Sequence, residues 1–330
     1  MMNTRKLPRR DVHFTDVGFG AAPIGNLGRE VSDDDAAETV NEAWDGGVRY
    51  FDTAPHYGLG LSERRLGALL ATRPRDEFFL STKVGRILQP VENPAGLGDS
   101  EGFAVPRIYR REWDFSRDGV RRSLASSLDR LGLDRIDVVL IHDPDDHGDQ
   151  AIGQAVPALV ELRDQGVIRA IGVGINQSPM AARFVRETDV DVIMLAGRYS
   201  LLDQAALADL LPAAEERGVG VLSAGVFNSG LLARDRPDPA ATYDYAPAPA
   251  EMVDRATRIA DICAEYDTTL PAAALHFVLA HPAVVTAVLG MRTGTQAQRN
   301  LALLSVPPAV GFWDALRKHG LLPDAAPTPG

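Results

Sequence analysis

Eight short runs of nearly unbroken apolar residues punctuate the chain. They are DVGFGAAPIG (16–25), VRYFDTA (48–54), EFFLSTKVG (77–85), IDVVLIH (136–142), VIRAIGVG (167–174), VDVIMLAG (190–197), VGVLSAG (219–225) and VVTAVLG (284–290). Runs without polar alternation suit strands covered on both faces, as in a parallel sheet. Between them apolar residues return every three or four positions, which predicts helices. SDDDAAETVNEAWDGG (32–47) opens on a Ser cap, carries acids in its first turn and closes on Gly. SRDGVRRSLASSLDRLG (116–132) sets Val120, Leu124, Leu128 and Leu131 at helical spacing. Stretches at 157–166, 178–188, 206–218 and 252–266 repeat the theme. Eight strands alternating with helices over about 300 residues predict an α/β protein built as a single (β/α)8 TIM barrel. No Pro/Gly-rich linker divides the chain, so one domain is expected over 1–330, with its core at 14–305 and a C-terminal tail at 306–330. Residues 85–115 and 225–250 read as long loops at the C-terminal mouth, and AAPTPG (325–330) as disordered.

Three glycine pairs, in GFGAAP (18–23), GLGLSE (58–63) and GVGINQ (172–177), approach a dinucleotide fingerprint. None has Gly or Ala at its sixth position, where a Rossmann helix packs closely on its strand, so ordinary turn glycines are the better reading. The formal net charge of -11 argues against a nucleic-acid surface, which needs a basic footprint. Cys263 is the single cysteine, which excludes an internal disulfide and thiolate zinc sites. MMNTRKLPRR is followed by no apolar segment of secretory type, and no run reaches the ~18 apolar residues of a spanning helix. A cytoplasmic protein without membrane contact is expected. Nothing in the sequence speaks to oligomeric state.

LIHDPDDHGD (140–149) packs two histidines and four aspartates into the eight positions from His142 to Asp149, which invites a metal site. A metal-dependent barrel hydrolase would want further ligands on other strands, often as H-x-H, and none of the seven histidines forms that pair. No metal is expected. Barrel enzymes instead carry their chemistry at the C-terminal ends of strands. There FDTAPHYG places Asp52 at a strand tip and Tyr57 in the loop, STKVG places Lys83, and LIHDP places His142. Each alone has a plain structural use, as turn former, solvated charge or packing ring. Three consecutive strand ends aiming an acid, a cation and an imidazole at one mouth are harder to explain that way.

FDTAPHYG, STKVG and LIHDP resemble the aldo-keto reductase superfamily over roughly residues 14–305. The resemblance implies a (β/α)8 barrel, a nicotinamide cofactor and a catalytic tetrad mapping onto Asp52, Tyr57, Lys83 and His142. Tyr57 would move the proton at the carbinol oxygen, Lys83 would lower its pKa below the ordinary value of about 10, Asp52 would hold Lys83, and His142 would orient the substrate oxygen. It also implies cofactor contacts from Asn176 after the fifth strand and from the loop Phe227, Asn228, Gly230 and Leu231 after the seventh. After the eighth strand, Arg292, Thr293, Gln296 and Asn300 fall at the adenosine phosphate. Members that prefer NADP carry several basic residues there. This chain offers Arg292, with Gln296 where a second Arg is common, so NAD is expected, with NADP as the second choice through Arg292.

IHDPDDH, RAIGVGINQSPMAARFVRETDVDVIMLAGRYSLLDQ and GVFNSGLLA resemble a subgroup of bacterial D-threo-aldose (L-fucose) 1-dehydrogenases, pyridoxal 4-dehydrogenase and plant L-galactose dehydrogenase. That implies NAD(P)-dependent oxidation of an aldose hemiacetal hydroxyl at C1 to a lactone. Pyridoxal or L-galactose is the alternative substrate, and a redox-sensing channel-type subunit is the non-enzymatic one. His56, Tyr109, Trp113 and Arg198 are candidates for the wall around a small-molecule substrate.

Overall fold

A computed structural model describes residues 2–92, 94, 96–244 and 246–329. Eight strands close into a parallel barrel in sequence order. They are β1 (Val17–Gly20), β2 (Tyr50–Asp52), β3 (Phe79–Val84), β4 (Val138–His142), β5 (Ala170–Ile175), β6 (Val192–Ala196), β7 (Gly220–Ala224) and β8 (Val284–Gly290). Each falls in one of the eight apolar runs, β5 ending one residue past its run, and β8 pairs with β1 to complete the ring.

The surrounding helices are α1 (Asp33–Asp45), α2 (Leu61–Leu70), α3 (Arg117–Leu131), α4 (Val156–Asp164), α5 (Ser178–Glu187), α6 (Leu210–Arg217), α7 (Ala250–Glu265), α8 (Leu270–Ala280), α9 (Gly294–Ala302) and α10 (Phe312–Lys318). The caps work as their sequences require. Ser32 Oγ accepts from the Asp35 N–H, and Ser116 Oγ from the Gly119 N–H. Periodicity misses α2, α8, α9 and α10. α2 starts on Gly60, which offers no side-chain cap. α8 is buried on nearly every side, so it has no polar stripe to mark its period. No helix among the described residues is long and apolar enough to cross a membrane.

One core fills the space between strands and helices. A second fills the barrel itself, where Tyr50, Val138, Leu140, Val192, Met194 and Leu222 meet Leu7, Val12 and Phe14. Phe14 comes from an antiparallel hairpin, Thr4–Lys6 with His13–Thr15, that plugs the N-terminal end. Its ring meets Tyr50 edge to face at 4.6 Å. A Cβ at Gly18 would lie 2.5 Å from the Tyr50 ring, so the first glycine of GFG makes room for that tyrosine.

The two ends of the segment expected as a loop over 85–115 pair as an antiparallel hairpin, Arg86–Pro90 with Tyr109–Trp113. Its outer part is tied across the mouth to the turn after β1: the Gly28 N–H donates to Gly102 O at 2.7 Å and the Ala104 N–H to Asn26 O at 2.9 Å. The segment 225–250 holds a second small pair, Thr242–Tyr243 with Ala246–Pro247. Asn93, Ala95 and Tyr245 within these segments, and Gly330 at the end of the tail, lie outside the described residues. The tail corrects expectation. α10 buries Phe312, Trp313 and Leu316, and Ala326 is buried as well. Arg317 anchors the last residues by donating to Ala326 O and to Thr328 Oγ1.

Candidate active site

Side chains alternate across a strand, so Tyr50 and Asp52 on β2 share the barrel interior with Ser81 and Lys83 on β3. The register pairs Asp52 with Ser81, Lys83 with Leu140, and His142 with Gly174. Gly174 leaves space for Lys83, whose Cε would lie 3.3 Å from a Cβ there. Lys83 Nζ donates to Asp52 Oδ2 at 2.6 Å, to Thr53 O at 3.1 Å and to the Tyr57 hydroxyl at 3.0 Å. An ammonium has three protons, and these acceptors use all of them. Because the Tyr57 oxygen accepts from Lys83, its own proton is free for another partner. The His142 ring stands perpendicular to the Tyr57 ring at 5.8 Å. The four side chains proposed as a tetrad thus meet at one point of the mouth.

Burial works against the Lys83 ammonium, but Asp52 and Tyr57 outweigh it and raise its pKa. Its partners thus favour the charged form of Lys83. Tyr57 departs from expectation. Burial raises its pKa, Lys83 lowers it, and Asp52 and Asp143 raise it again, so it is pushed up to about 12 instead of falling below 10. The sequence shows the cation but not how dry the phenol is. Burial pulls the His142 pKa well down, and Arg86, Lys83, His56 and Arg111 add to the effect. His142 is a neutral imidazole, suited to orienting an oxygen.

Around the tetrad lies a charged group that sequence reading missed. Arg86 follows the tip of β3 and pairs with Asp143, next to His142 in the chain. It stacks over Trp113 at 4.3 Å. Arg111 grips Asp99 with both terminal nitrogens and donates Nε–H to His56 Nδ1 at 2.6 Å. Burial, then Arg86 and Arg111, push His56 down to about 2. With Nδ1 an acceptor, the neutral ring carries its proton on Nε2. The signal was the Arg directly after STKVG, but only the hairpin register brings Arg111 to it.

The aspartate-histidine cluster divides its labour. His142 faces Tyr57, Asp143 binds Arg86, Asp149 binds Arg183 at 2.8 Å, and the His147 ring packs 5.3 Å from Phe115. Among the described residues no three potential metal ligands converge.

The other wall candidates separate. His56 sits 5.5 Å from the His142 ring, and Trp113 is at the base of the hairpin, 45% exposed. Tyr109 pairs with Pro90 at the far end of that hairpin, four residue steps or roughly 13 Å from Trp113. Arg198 is engaged by Asp244 at 2.6 Å.

The residues suggested for the cofactor fit a dinucleotide in part. Asn176 follows β5 at the mouth and is partly exposed. After β7, Asn228, Ser229 and Gly230 all have positive φ, and Asn228 Oδ1 is buried without a partner. Phe227 is partly exposed beside them, while the Gly230 and Leu231 N–H groups are taken within the turn by Phe227 O and Asn228 O. Thr293 Oγ1 caps α9 by accepting from the Gln296 N–H at 3.2 Å, and Gln296 Oε1 accepts from the Arg292 N–H at 2.9 Å. A helix N-terminus so built attracts phosphate. Arg292 donates to Leu27 O at 2.7 Å, and Asn300 lies partly exposed in α9. Arg29 and Glu38 were missed. Burial, then Arg29, lower the Arg292 pKa. A Cβ at Gly294 would lie 2.8 Å from Glu38 Oε1, so a carboxylate already rests against the first residue of α9.

The model of the Aldo/keto reductase family matches residues 16–319. The chain belongs to the aldo/keto reductase family. It is 49% identical over 310 residues to D-threo-aldose 1-dehydrogenase of a Pseudomonas species, covering 93% of this chain and 94% of that protein. It is 39% identical over 339 residues to pyridoxal 4-dehydrogenase of Microbacterium luteolum, covering 96% and 97%. Among solved structures, the holo form of an aldo-keto reductase from Bacillus halodurans aligns with a TM-score of 0.77 and 27% identity over 99% of this chain and 98% of that one. This aldo/keto reductase is accordingly an oxidoreductase that works with a nicotinamide cofactor on a small molecule.

Proposed function

We propose that this protein oxidises the C1 hydroxyl of an aldose of the D-threo (L-fucose) type to a lactone, with NAD as the acceptor. The observation that carries this reading is the arrangement around Tyr57. Lys83 donates to its oxygen, which leaves the phenol position facing a carbinol proton. His142 would orient the same oxygen, and the His56 N–H, with Asp143 and Arg86 behind it, would offer donors and acceptors to ring hydroxyls. The nicotinamide supplies the hydride acceptor when bound. Asn176 and the turn at Phe227 and Asn228 would hold it on one side, and Arg292 with the Thr293-capped end of α9 on the other. The relative named D-threo-aldose 1-dehydrogenase supports the substrate class. Pyridoxal is the second reading, favoured by the 45% exposure of Trp113 and by the relative named for it. Assays of NADH formation with L-fucose, D-arabinose, L-galactose and pyridoxal separate the two. Turnover of pyridoxal alone rejects the sugar.

The phenol pushed up to about 12 sets the pH dependence. Oxidation needs the phenolate, which is scarce at neutral pH. Its kcat/KM should climb close to tenfold per pH unit from about 7 to 10. Reduction needs the phenol, present throughout, and should stay nearly flat over that window. An oxidation profile already level at neutral pH would contradict the environment assigned to Tyr57.

Glu38 supports the choice of NAD. A 2′-phosphate at the N-terminus of α9 would lie near that carboxylate as well as near Arg292, and the repulsion would offset part of the attraction. NAD should exceed NADP in kcat/KM by on the order of tenfold, and Glu38→Gln should narrow the gap. A preference for NADP in the unmodified protein would reverse this assignment.

A further inference from the structure

We infer that Ser81 and Tyr50 form a buried hydroxyl chain that positions the Asp52 carboxylate and so keeps Lys83 on Tyr57. Ser81 Oγ donates to Asp52 Oδ1 at 2.7 Å, and its oxygen lies 2.8 Å from the Tyr50 hydroxyl. The donor order follows from chemistry. Ionised Asp52 only accepts, so Ser81 gives it the one proton it has, and Tyr50 must donate to Ser81. The chain then runs from Tyr50 through Ser81 and Asp52 to Lys83 and Tyr57. Ser81 and Tyr50 are fully buried. Barrel interiors are ordinarily filled by branched apolar residues, and this one spends Gly18 to admit a tyrosine.

Asp52 Oδ2 is satisfied by Lys83, and Oδ1 by Ser81. Without Ser81, Oδ1 would be a buried acceptor with no donor, which is costly. The nearest proton source is the ammonium. All three Lys83 protons are in use, and the contacts at 3.0 and 3.1 Å are its longer ones. Lys83 would turn towards both carboxylate oxygens and loosen its hold on Tyr57. Tyr57 would then lose part of the cation that favours its ionised form, and would ionise at higher pH. The charged and titratable groups facing this chain are Lys83 and Tyr50 at Asp52, and Lys83, Asp52, Asp143, Arg86, His56 and His142 at Tyr57.

The inference rests on Tyr57 as the proton carrier, not on which sugar is used. The test therefore has two readouts. Ring-carbon-labelled tyrosine is followed by NMR in the full-length protein, with Tyr57→Phe and Tyr50→Phe assigning the two resonances. In Ser81→Ala the onset of Tyr57 ionisation should move up by about one pH unit. Tyr50→Phe, which keeps the ring, should move it the same way by less. Where an aldose is turned over, the alkaline limb of oxidation should shift with the resonance, lowering kcat about tenfold at fixed pH while KM holds. Titration of Tyr57 at the same pH in the unmodified protein and in both variants overturns the inference, even if activity falls. A protein that turns over no aldose yet shows the resonance shift refutes the substrate and keeps the chain.

Discussion

Tyr57→Phe is expected to lower turnover by about 10³-fold while leaving NADH affinity nearly unchanged. The ring stays, and with it the packing against Phe103 at 6.1 Å and the perpendicular contact with His142. What goes is the oxygen that accepts the Lys83 hydrogen bond at 3.0 Å and that, in the proposed reaction, would exchange a proton with the substrate. Nothing in its surroundings replaces it. His142 and His56 are held neutral with pKa values far below 7, so neither is a strong base. Steady-state rates in both directions, together with NADH fluorescence titration, check this. Turnover within tenfold of the unmodified protein would remove Tyr57 from the proton step. A parallel collapse of NADH binding would mean that the substitution disturbs the cofactor site instead.

The barrel was legible because each strand is covered on both faces and therefore reads as an apolar run. The convergence of Asp52, Lys83 and His142 was legible because they end consecutive strands, where chain order and spatial order coincide, and Tyr57 follows Asp52 closely in the chain. What stayed hidden depends on contacts between distant segments. Arg111 reaches His56 through a hairpin whose register no local pattern announces. Glu38 meets Gly294 because α1 packs on α9. Ser81 looks like an ordinary strand residue until the β2–β3 register sets it opposite Asp52. α8 was hidden for the opposite reason, since burial on nearly every side erases its period. The Tyr57 pKa was misjudged because Lys83 can be counted in a sequence, whereas the lost hydration of a phenol cannot.

Breaking the Asp52–Lys83 pair should cost stability as well as activity. Asp52 and Lys83 are each 2% exposed and 2.6 Å apart, so removing one leaves the other charged without a partner in a dry barrel. Asp52→Leu strands the ammonium with Thr53 O and the Tyr57 hydroxyl as its remaining acceptors. Lys83→Met strands the carboxylate with Ser81. Each single variant should lose about 3–5 kcal/mol. The double variant Asp52→Leu with Lys83→Met replaces both charges with apolar groups of similar reach, and should regain much of that loss, since neither residue leaves an unpaired partner. Turnover should be absent from all three, because Tyr57 no longer has a correctly held cation beside it. Urea unfolding of the four proteins gives the coupling directly. A double variant as unstable as the sum of the two singles would show that the pair is not coupled in the folded protein. Recovered stability with turnover still missing separates the two roles of Lys83, since the barrel tolerates an apolar replacement of the pair and the proton chemistry does not.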